Sequence, residues 1–154
     1  MNKMLQSVRC LLLPLKGTAV LLPNAAVAEI ITYQAPDSVP GSPNWFLGLL
    51  AWRNQVIPMI SYEAIVGGEP AGIGRNSRIV VLKAVGEGGE LGFYAIVTSG
   101  FPRLMVLGSE SLDYSEEQVQ DNELIIARLD LDGTNVDIPD LDRLEQVLVA
   151  SKSA

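Results

Sequence analysis

The sequence predicts a mainly β fold of about ten strands with one helix at its C-terminal end. Two observations predict it. Apolar residues come in short bursts that end at glycine, proline or polar residues, which is typical of a many-stranded β domain. In the tail, by contrast, Leu141, Leu144 and Leu148 recur at helical spacing on one face. This pattern predicts a helix over 139–150 that packs on the sheets and has Pro139 in its first turn.

Turn residues separate the predicted strands. Lys16-Gly17 and Asp132-Gly133 are two-residue hairpin signals, because glycine adopts the positive φ that such turns need. Glu87-Gly88-Gly89 predicts a further turn, and the three prolines of 34–44 predict a loop. The predicted strands cover 11–15, 18–22, 27–33, 46–52, 56–60, 78–85, 91–98, 103–107, 123–131 and 134–138.

The length of the chain predicts one domain. A chain of 154 residues can bury a core without a disulfide or a metal ion. The polar segment 67–77 contains four glycines and separates the predicted strands into two sets of about five. Each set could remove its exposed edges by closing into a small barrel. We therefore expect a single domain over 1–154, in which 10–66 and 78–138 each supply one sub-barrel.

Composition excludes several classes of function. The chain has no histidine, which excludes His-ligated zinc, a Ser-His-Asp triad and phosphoryl transfer through histidine. Its one cysteine, Cys10, can form no internal disulfide, which favours a reducing, cytoplasmic location. A net charge of -7 opposes nucleic-acid binding, and no segment has the roughly 18 apolar residues of a membrane span. We expect no cofactor and no direct membrane insertion.

Acidic residues concentrate late in the chain. Residues 110–145 hold 12 of the 18 acids and carry a net charge of -10. The simplest interpretation is a solvated face, and a docking patch for a basic partner is the alternative. Asp130, Asp132 and Asp137 lie around Gly133 much as in a calcium loop, but the glycine comes too early in the segment, so a hairpin is favoured.

Residues 43–60 carry the most informative pattern. An apolar segment leads to Arg53 at a predicted turn, where Asn54 tolerates the left-handed backbone that such a turn needs. A second apolar segment follows and is interrupted by Pro58. Proline cannot donate to a strand ladder, so we expect this strand at a sheet edge or with a bulge. Composition alone favours an ordinary surface role for Arg53.

The spacing of Pro43, Gly48, Arg53 and Pro58, five residues apart at each step, resembles the CheW-like domain of bacterial chemosensory arrays. The upstream segment 18–33 is similar to that family's second strand and its continuation. It contains Leu22-Pro23 and Val27-Ala28-Glu29-Ile30-Ile31. The resemblance is specific over about 10–66 and looser beyond residue 78.

Three positions depart from the pattern of this family. Asn54 stands where the family usually has glycine, and Ser61 and Ile96 stand where it usually has aspartate. Partner contacts or local hydrogen bonds made through those two acids are therefore absent here. A CheW-like protein that binds only one of its two partners is consistent with these departures.

The resemblance implies two five-stranded SH3-like β-barrels around a shared hydrophobic core, followed by a C-terminal helix. It also implies a non-catalytic adaptor that couples the cytoplasmic signalling tip of chemoreceptors to the regulatory domain of a CheA-like histidine kinase. The resemblance is looser in the second half of the chain, which favours a divergent member of a type IV pilus system, with twitching motility as the output.

Carried over by position, the implied receptor contacts are Arg53, Val27 and Glu29, with Val56 and Ile57 as apolar neighbours. Arg53 could equally brace its own turn. Leu47 and Leu49 are candidates for an apolar patch that faces the kinase.

The alternative from another functional class is a small β-barrel enzyme or ligand carrier. It would use carboxylates of the acidic C-terminal half, and it requires a deep pocket in which two acids converge.

Overall fold

The computed structural model describes residues 8–86, 91–107, 122–131 and 133–152. Within these ranges each of the ten predicted strands is present, with ends that differ by a few residues from the prediction. The elements are β1 (Val8–Leu15), β2 (Thr18–Pro23), a 3-10 turn (Asn24–Ala26), β3 (Val27–Thr32), β4 (Phe46–Trp52), β5 (Gln55–Ile60), α1 (Tyr62–Ile65), β6 (Arg78–Lys83), β7 (Phe93–Val97), β8 (Arg103–Leu107), β9 (Ile125–Leu131), β10 (Thr134–Pro139) and α2 (Leu141–Lys152).

The strands form two five-stranded sheets. Sheet A has the strand order β8-β1-β2-β10-β9, and sheet B has the order β3-β6-β7-β5-β4. Neighbouring strands are antiparallel except for two parallel pairs, β2 with β10 and β5 with β7. The predicted mainly β architecture of two five-stranded units with a C-terminal helix is confirmed.

The sheets do not divide the chain at the glycine-rich segment. Sheet B contains β3 to β7, whereas sheet A combines β1 and β2 with β8, β9 and β10. The expectation that 10–66 and 78–138 each supply one sub-barrel is therefore wrong for the strand pairing. Four pairs join strands from opposite sides of 67–77. They are the parallel pairs β2–β10 and β5–β7 and the antiparallel pairs β1–β8 and β3–β6. Turn residues in the sequence indicate only the hairpins between consecutive strands, and no comparable signal marks the pairing of remote strands.

Apolar side chains fill three clusters, because several strands bury both faces. Cys10 and Leu12 of β1 belong to a cluster on sheet A, while Leu11, Leu13 and Leu15 point the other way. That other side is a shared core, to which sheet A, sheet B and α2 all contribute. A third cluster, here called the sheet B cluster, belongs to sheet B alone. Its buried members are Leu50, Trp52, Ile57, Met59, Ile79, Val81, Ala95 and Val97.

The C-terminal helix begins two residues later than predicted. Pro139 is the last residue of β10 and lies opposite Ile125, at a shift of the β9–β10 register. Asp140 then caps α2, because its side-chain Oδ1 accepts from the backbone N–H of Arg143 at 3.2 Å. Leu144 is buried in the shared core. The helix thus packs on both sheets, as its apolar spacing predicted.

Turn chemistry explains most of the connections. Gly17 and Gly133 have φ values of 77° and 85°, and each lies in a hairpin of the predicted kind. Asp132 and the predicted turn at Glu87-Gly88-Gly89 lie outside the described residues. The short helix α1 was not predicted. In the described part of the chain, neither helix has the length and apolar character needed to cross a membrane.

Candidate partner-binding site

The turn between β4 and β5 presents Arg53 at one end of sheet B. Trp52 pairs with Gln55, so Arg53 and Asn54 are the two central residues of a tight hairpin. Their φ values are 48° and 62°, and both are therefore left-handed. A two-residue hairpin of type I′ needs positive φ at both positions, and such backbone costs a non-glycine residue about 1 kcal/mol or more. Asn54 adopts the conformation for which the family usually has glycine.

Three side chains form what we call the Glu29–Trp52–Arg53 cluster. Oε1 of Glu29 lies 3.1 Å from Nη2 of Arg53, as an ion pair, and accepts a hydrogen bond from the Trp52 indole N–H at 2.9 Å. The guanidinium carbon also lies 4.8 Å from the centre of the Trp52 ring, within range of a cation–π interaction. The Arg53 side chain is 62% exposed and that of Glu29 is 38% exposed. The cluster therefore presents charge and hydrogen-bonding groups at the protein surface.

The cluster also connects the two ends of sheet B. Glu29 lies on β3 and Trp52 on β4, and these strands are the first and last in the sheet order. A hydrogen bond between their side chains requires the sheet to curve until its two edge strands come within side-chain reach of each other. The curvature places two strands that are remote in the sheet order at one site.

The predicted apolar contacts Val27, Val56 and Ile57 differ in their exposure to solvent. Val56 is 64% exposed, one residue beyond Gln55. Val27 is partly buried against the shared core, and a register shift in β3 lies between it and Glu29. Ile57, by contrast, is 2% exposed and belongs to the sheet B cluster. Ile57, predicted as an apolar neighbour among the partner contacts, is therefore not accessible to a partner in this structure, because strand alternation points it inward beneath the site.

Gly48 has a structural role in the five-residue spacing. The backbones of Asp37 and Leu49 exchange two hydrogen bonds of 2.9 Å. These bonds attach the proline-rich loop, residues 34–44, to β4. Gly48 has a φ of 145°, and a Cβ at this position would lie 2.4 Å from the carbonyl oxygen of Asp37. Only glycine allows the loop to approach this closely.

Pro58 lies in an internal strand, which corrects the expectation of an edge. β5 pairs with β4 on one side and β7 on the other, and the β7 pairing begins at Met59, just after the proline. The missing N–H of Pro58 therefore falls before that ladder starts. The irregularity that the proline predicted occurs instead in β4, as a register shift between Phe46 and Gly48.

An apolar groove lies beside the hairpin. Its volume is about 500 Å³, and the described residues that line it include no acid. Leu49 and Val56 reach it, whereas Leu47 packs against the sheet B cluster. The groove does not provide the two converging acids that an enzyme or ligand carrier would need. Its lining residues are Val39, Pro40, Gly41, Ser42, Pro43, Phe46, Leu49, Val56, Pro58, Leu91, Leu148 and Ser151.

Two buried carboxylates in the second half of the chain, those of Asp137 and Glu145, accept hydrogen bonds from other residues of the protein. Asp137 accepts from the Tyr62 hydroxyl at 3.2 Å and from Nε of Arg128 at 2.8 Å. Burial, and then the nearby charge of Asp137, raise the pKa of Tyr62 well above its usual range. The Tyr62–Asp137 contact thus joins α1 to β10 inside the protein.

Glu145 of α2 is the second such carboxylate. It accepts from the backbone N–H groups of Val85 and Gly86 at 2.7–3.0 Å, and from the Tyr94 hydroxyl at 3.1 Å. Burial and the charge of Glu145 raise the pKa of Tyr94 well above its usual range. These contacts fasten α2 to sheet B. No group of three potential metal ligands occurs within the described ranges.

The departures from the family pattern also have local explanations. The hydroxyl of Ser61 accepts from the backbone N–H of Ala64 at 3.2 Å and so caps α1. Ile96 is fully buried in the shared core. Both positions are therefore internal in this protein.

The comparisons with known proteins agree with the fold. Residues 9–147 match the CheW-like domain. The crystal structure of the scaffolding protein TtCheW from Thermoanaerobacter tengcongensis is similar, with a TM-score of 0.74 at 16% sequence identity, over 90% of this chain and 92% of that one. None of the curated proteins matches the chain.

Proposed function

Because this chain belongs to the family of CheW-like domains, we propose that it is a chemosensory scaffold adaptor, without catalysis of its own, that joins chemoreceptors to a CheA-like histidine kinase. The match over nearly the whole chain is the observation that carries this proposal. An adaptor needs accessible surfaces on a rigid body. The shared core supplies the rigid body, and the exposed side chains of Arg53 and Glu29 supply an accessible surface.

We propose the receptor-binding surface around Arg53. A helical receptor tip would place apolar side chains against Val56 and the accessible part of Val27, while its acceptor oxygens receive charge-assisted hydrogen bonds from the guanidinium. Glu29 holds that guanidinium at the surface. Ile57 supports the site from beneath, through the sheet B cluster.

The second partner is proposed to be the regulatory domain of the kinase. The apolar groove around Leu49 is the surface we assign to it, because exposed apolar area favours protein docking, and this surface adjoins the receptor surface at Val56. Since receptor tips and kinase lie in the cytoplasm, the adaptor acts there too. We propose a pilus-associated system with twitching motility as its output, on the basis of the divergent second half.

The direct test is a pull-down with two purified partners, a receptor signalling domain and a CheA-like regulatory domain. Arg53→Ala and Arg53→Glu should weaken receptor capture, and Arg53→Glu more strongly because it reverses the charge. Arg75→Ala is the matched control, because Arg75 is an exposed arginine in the glycine-rich segment. Failure of the wild-type protein to capture either partner would reject the proposed function. Capture of one partner alone would favour an adaptor that has lost the other.

A further inference from the structure

Trp52 is the buried member of the Glu29–Trp52–Arg53 cluster. Its ring packs in the sheet B cluster, with its centre 4.9 Å from that of Phe93 and the two planes tilted by 55°. Its indole N–H and its ring face nevertheless reach the surface pair, at 2.9 Å from Oε1 of Glu29 and 4.8 Å from the guanidinium carbon of Arg53. A single rigid side chain therefore contacts both members of the ion pair.

An exposed ion pair on its own is a weak restraint. Fixing a long arginine side chain costs conformational entropy, and solvent screens the attraction of Glu29 at these exposures. Trp52 adds two restraints from a residue that the core already holds in place. Its N–H orients the carboxylate that receives Arg53, and its ring contacts the guanidinium. A group held in this way loses less freedom when a partner binds.

The same geometry leaves donors for a partner. A guanidinium has five N–H groups, and one of its nitrogens, Nη2, forms the ion pair with Glu29. Among the described residues, no other acceptor for Arg53 is found. Its remaining N–H groups can therefore meet acceptor oxygens on a bound helix.

We propose that Trp52 is a positioning residue, which fixes the Arg53 guanidinium in the orientation that binds the receptor tip. This proposal rests on the proposed function, because it requires Arg53 to be a partner contact. Trp52 itself does not contact the partner in this arrangement, and it affects binding by positioning Arg53. The spacing of Pro43, Gly48, Arg53 and Pro58 does not include it.

The hydrogen bond can be tested without any partner. The chain has two tryptophans, so Trp45→Phe leaves the indole N–H of Trp52 as a single nitrogen-15 resonance. We expect the indole proton of Trp52 to resonate downfield of an indole proton that has no hydrogen bond. In Glu29→Gln it should move upfield, because the charged acceptor is lost. An indole resonance that is identical in the Glu29→Gln protein would overturn the proposal.

The binding test is a double-mutant cycle measured by calorimetry with the receptor signalling domain. Trp52→Phe keeps an aromatic ring but removes the N–H, and we expect it to raise Kd about fivefold. The same change in an Arg53→Ala background should have no further effect, because positioning acts only through the arginine. Phe101→Leu is the control, since it removes the ring of the separate Arg78–Phe101 contact at 4.4 Å. It should leave Kd unchanged.

The outcomes separate this inference from the proposed function. If wild type binds neither partner, the proposed function fails. If wild type binds and Arg53→Ala weakens binding, but Trp52→Phe binds like wild type, the positioning role is overturned and the adaptor role stands. An equal loss in both backgrounds would make Trp52 merely structural. Should Trp52→Phe not fold, the resonance of the intact Trp52 in Glu29→Gln decides the question.

Discussion

The two sheets each carry an arginine–carboxylate pair, and the two pairs occupy different environments. In sheet A, Arg128 and Asp137 are 29% and 5% exposed and lie 2.8 Å apart. In sheet B, Arg53 and Glu29 are 62% and 38% exposed and lie 3.1 Å apart. Burial makes the first pair costly to break, because a lost partner leaves a desolvated charge. Exposure makes the second pair weak in stability and available for recognition.

The largest expected effect comes from breaking the buried pair. Asp137→Ala removes the acceptor of the Tyr62 hydroxyl and the charge beside Arg128, so we expect a loss of about 3–5 kcal/mol in the free energy of unfolding. Urea denaturation measures it. Asp130→Ala is the control, because the Asp130 residue is exposed and its carboxylate accepts from the backbone N–H of Gly133 in its own turn. A loss below about 1 kcal/mol for Asp137→Ala would contradict the contrast between the two pairs.

The second prediction concerns alkaline pH. Burial, above all, raises the pKa of Tyr62 and Tyr94 in the folded protein. Above the ordinary tyrosine pKa of about 10, the unfolded chain releases these protons while the folded chain keeps them. The free energy of unfolding should therefore fall by about 1.4 kcal/mol per pH unit for each tyrosine, and stay constant with respect to both groups below pH ~9.

Urea denaturation between pH 9 and pH 11, in steps of about half a unit, checks the alkaline prediction. Tyr94→Phe should reduce the slope, because one of three groups with a raised pKa, Tyr62, Tyr94 and the buried thiol of Cys10, no longer titrates. A slope that is unchanged in this variant would show that Tyr94 does not contribute.

A smaller effect is expected at Gly48. Gly48→Ala places a Cβ against the carbonyl of Asp37 in strained backbone, so we expect a loss of about 1–3 kcal/mol and a loosened proline-rich loop. Gly17→Ala is the matched control, because Gly17 also has positive φ but its added Cβ would meet nothing within 4 Å. Equal losses in the two variants would exclude the close approach as the cause. Thermal unfolding of both variants gives the comparison.

The smallest stability effect is expected at the exposed pair, where the binding effect is large. Arg53→Ala should change the free energy of unfolding by less than about 1 kcal/mol. Its affinity for a receptor signalling domain should fall about tenfold, which corresponds to the loss of one charge-assisted contact. Denaturation and calorimetry on the same preparation make the comparison direct. A large stability loss with unchanged affinity would assign Arg53 to bracing the turn.

Local signals in the sequence predicted the elements well. The ten strands, the hairpins at Gly17 and Gly133 and the apolar face of α2 depend on residues that are close in the sequence. The pairing of strands that are remote in the sequence was not predicted, because these pairs, β1–β8, β2–β10, β3–β6 and β5–β7, join residues more than thirty positions apart. The start of α2 was predicted too early, since a proline can end a strand as well as begin a helix.

The candidate site shows a similar division. Arg53 and Glu29 were singled out by resemblance, and the structure brings them together. Their role in binding stays a prediction. Trp52 was missed, because its hydrogen bond crosses between strands at opposite ends of a curved sheet. The inward position of Ile57 could have been derived from strand alternation, since Leu50 lies opposite it and both are buried.

The unequal make-up of the sheets sets an order for assembly during synthesis. All five strands of sheet B are present once residue 97 has left the ribosome, whereas sheet A needs β10, which ends at Pro139. Until then the hairpin of β1 and β2 lacks its parallel neighbour β10, and its leucine-rich surface stays uncovered in the nascent chain. During synthesis we therefore expect the hairpin of β1 and β2 to be the most aggregation-prone part of this protein.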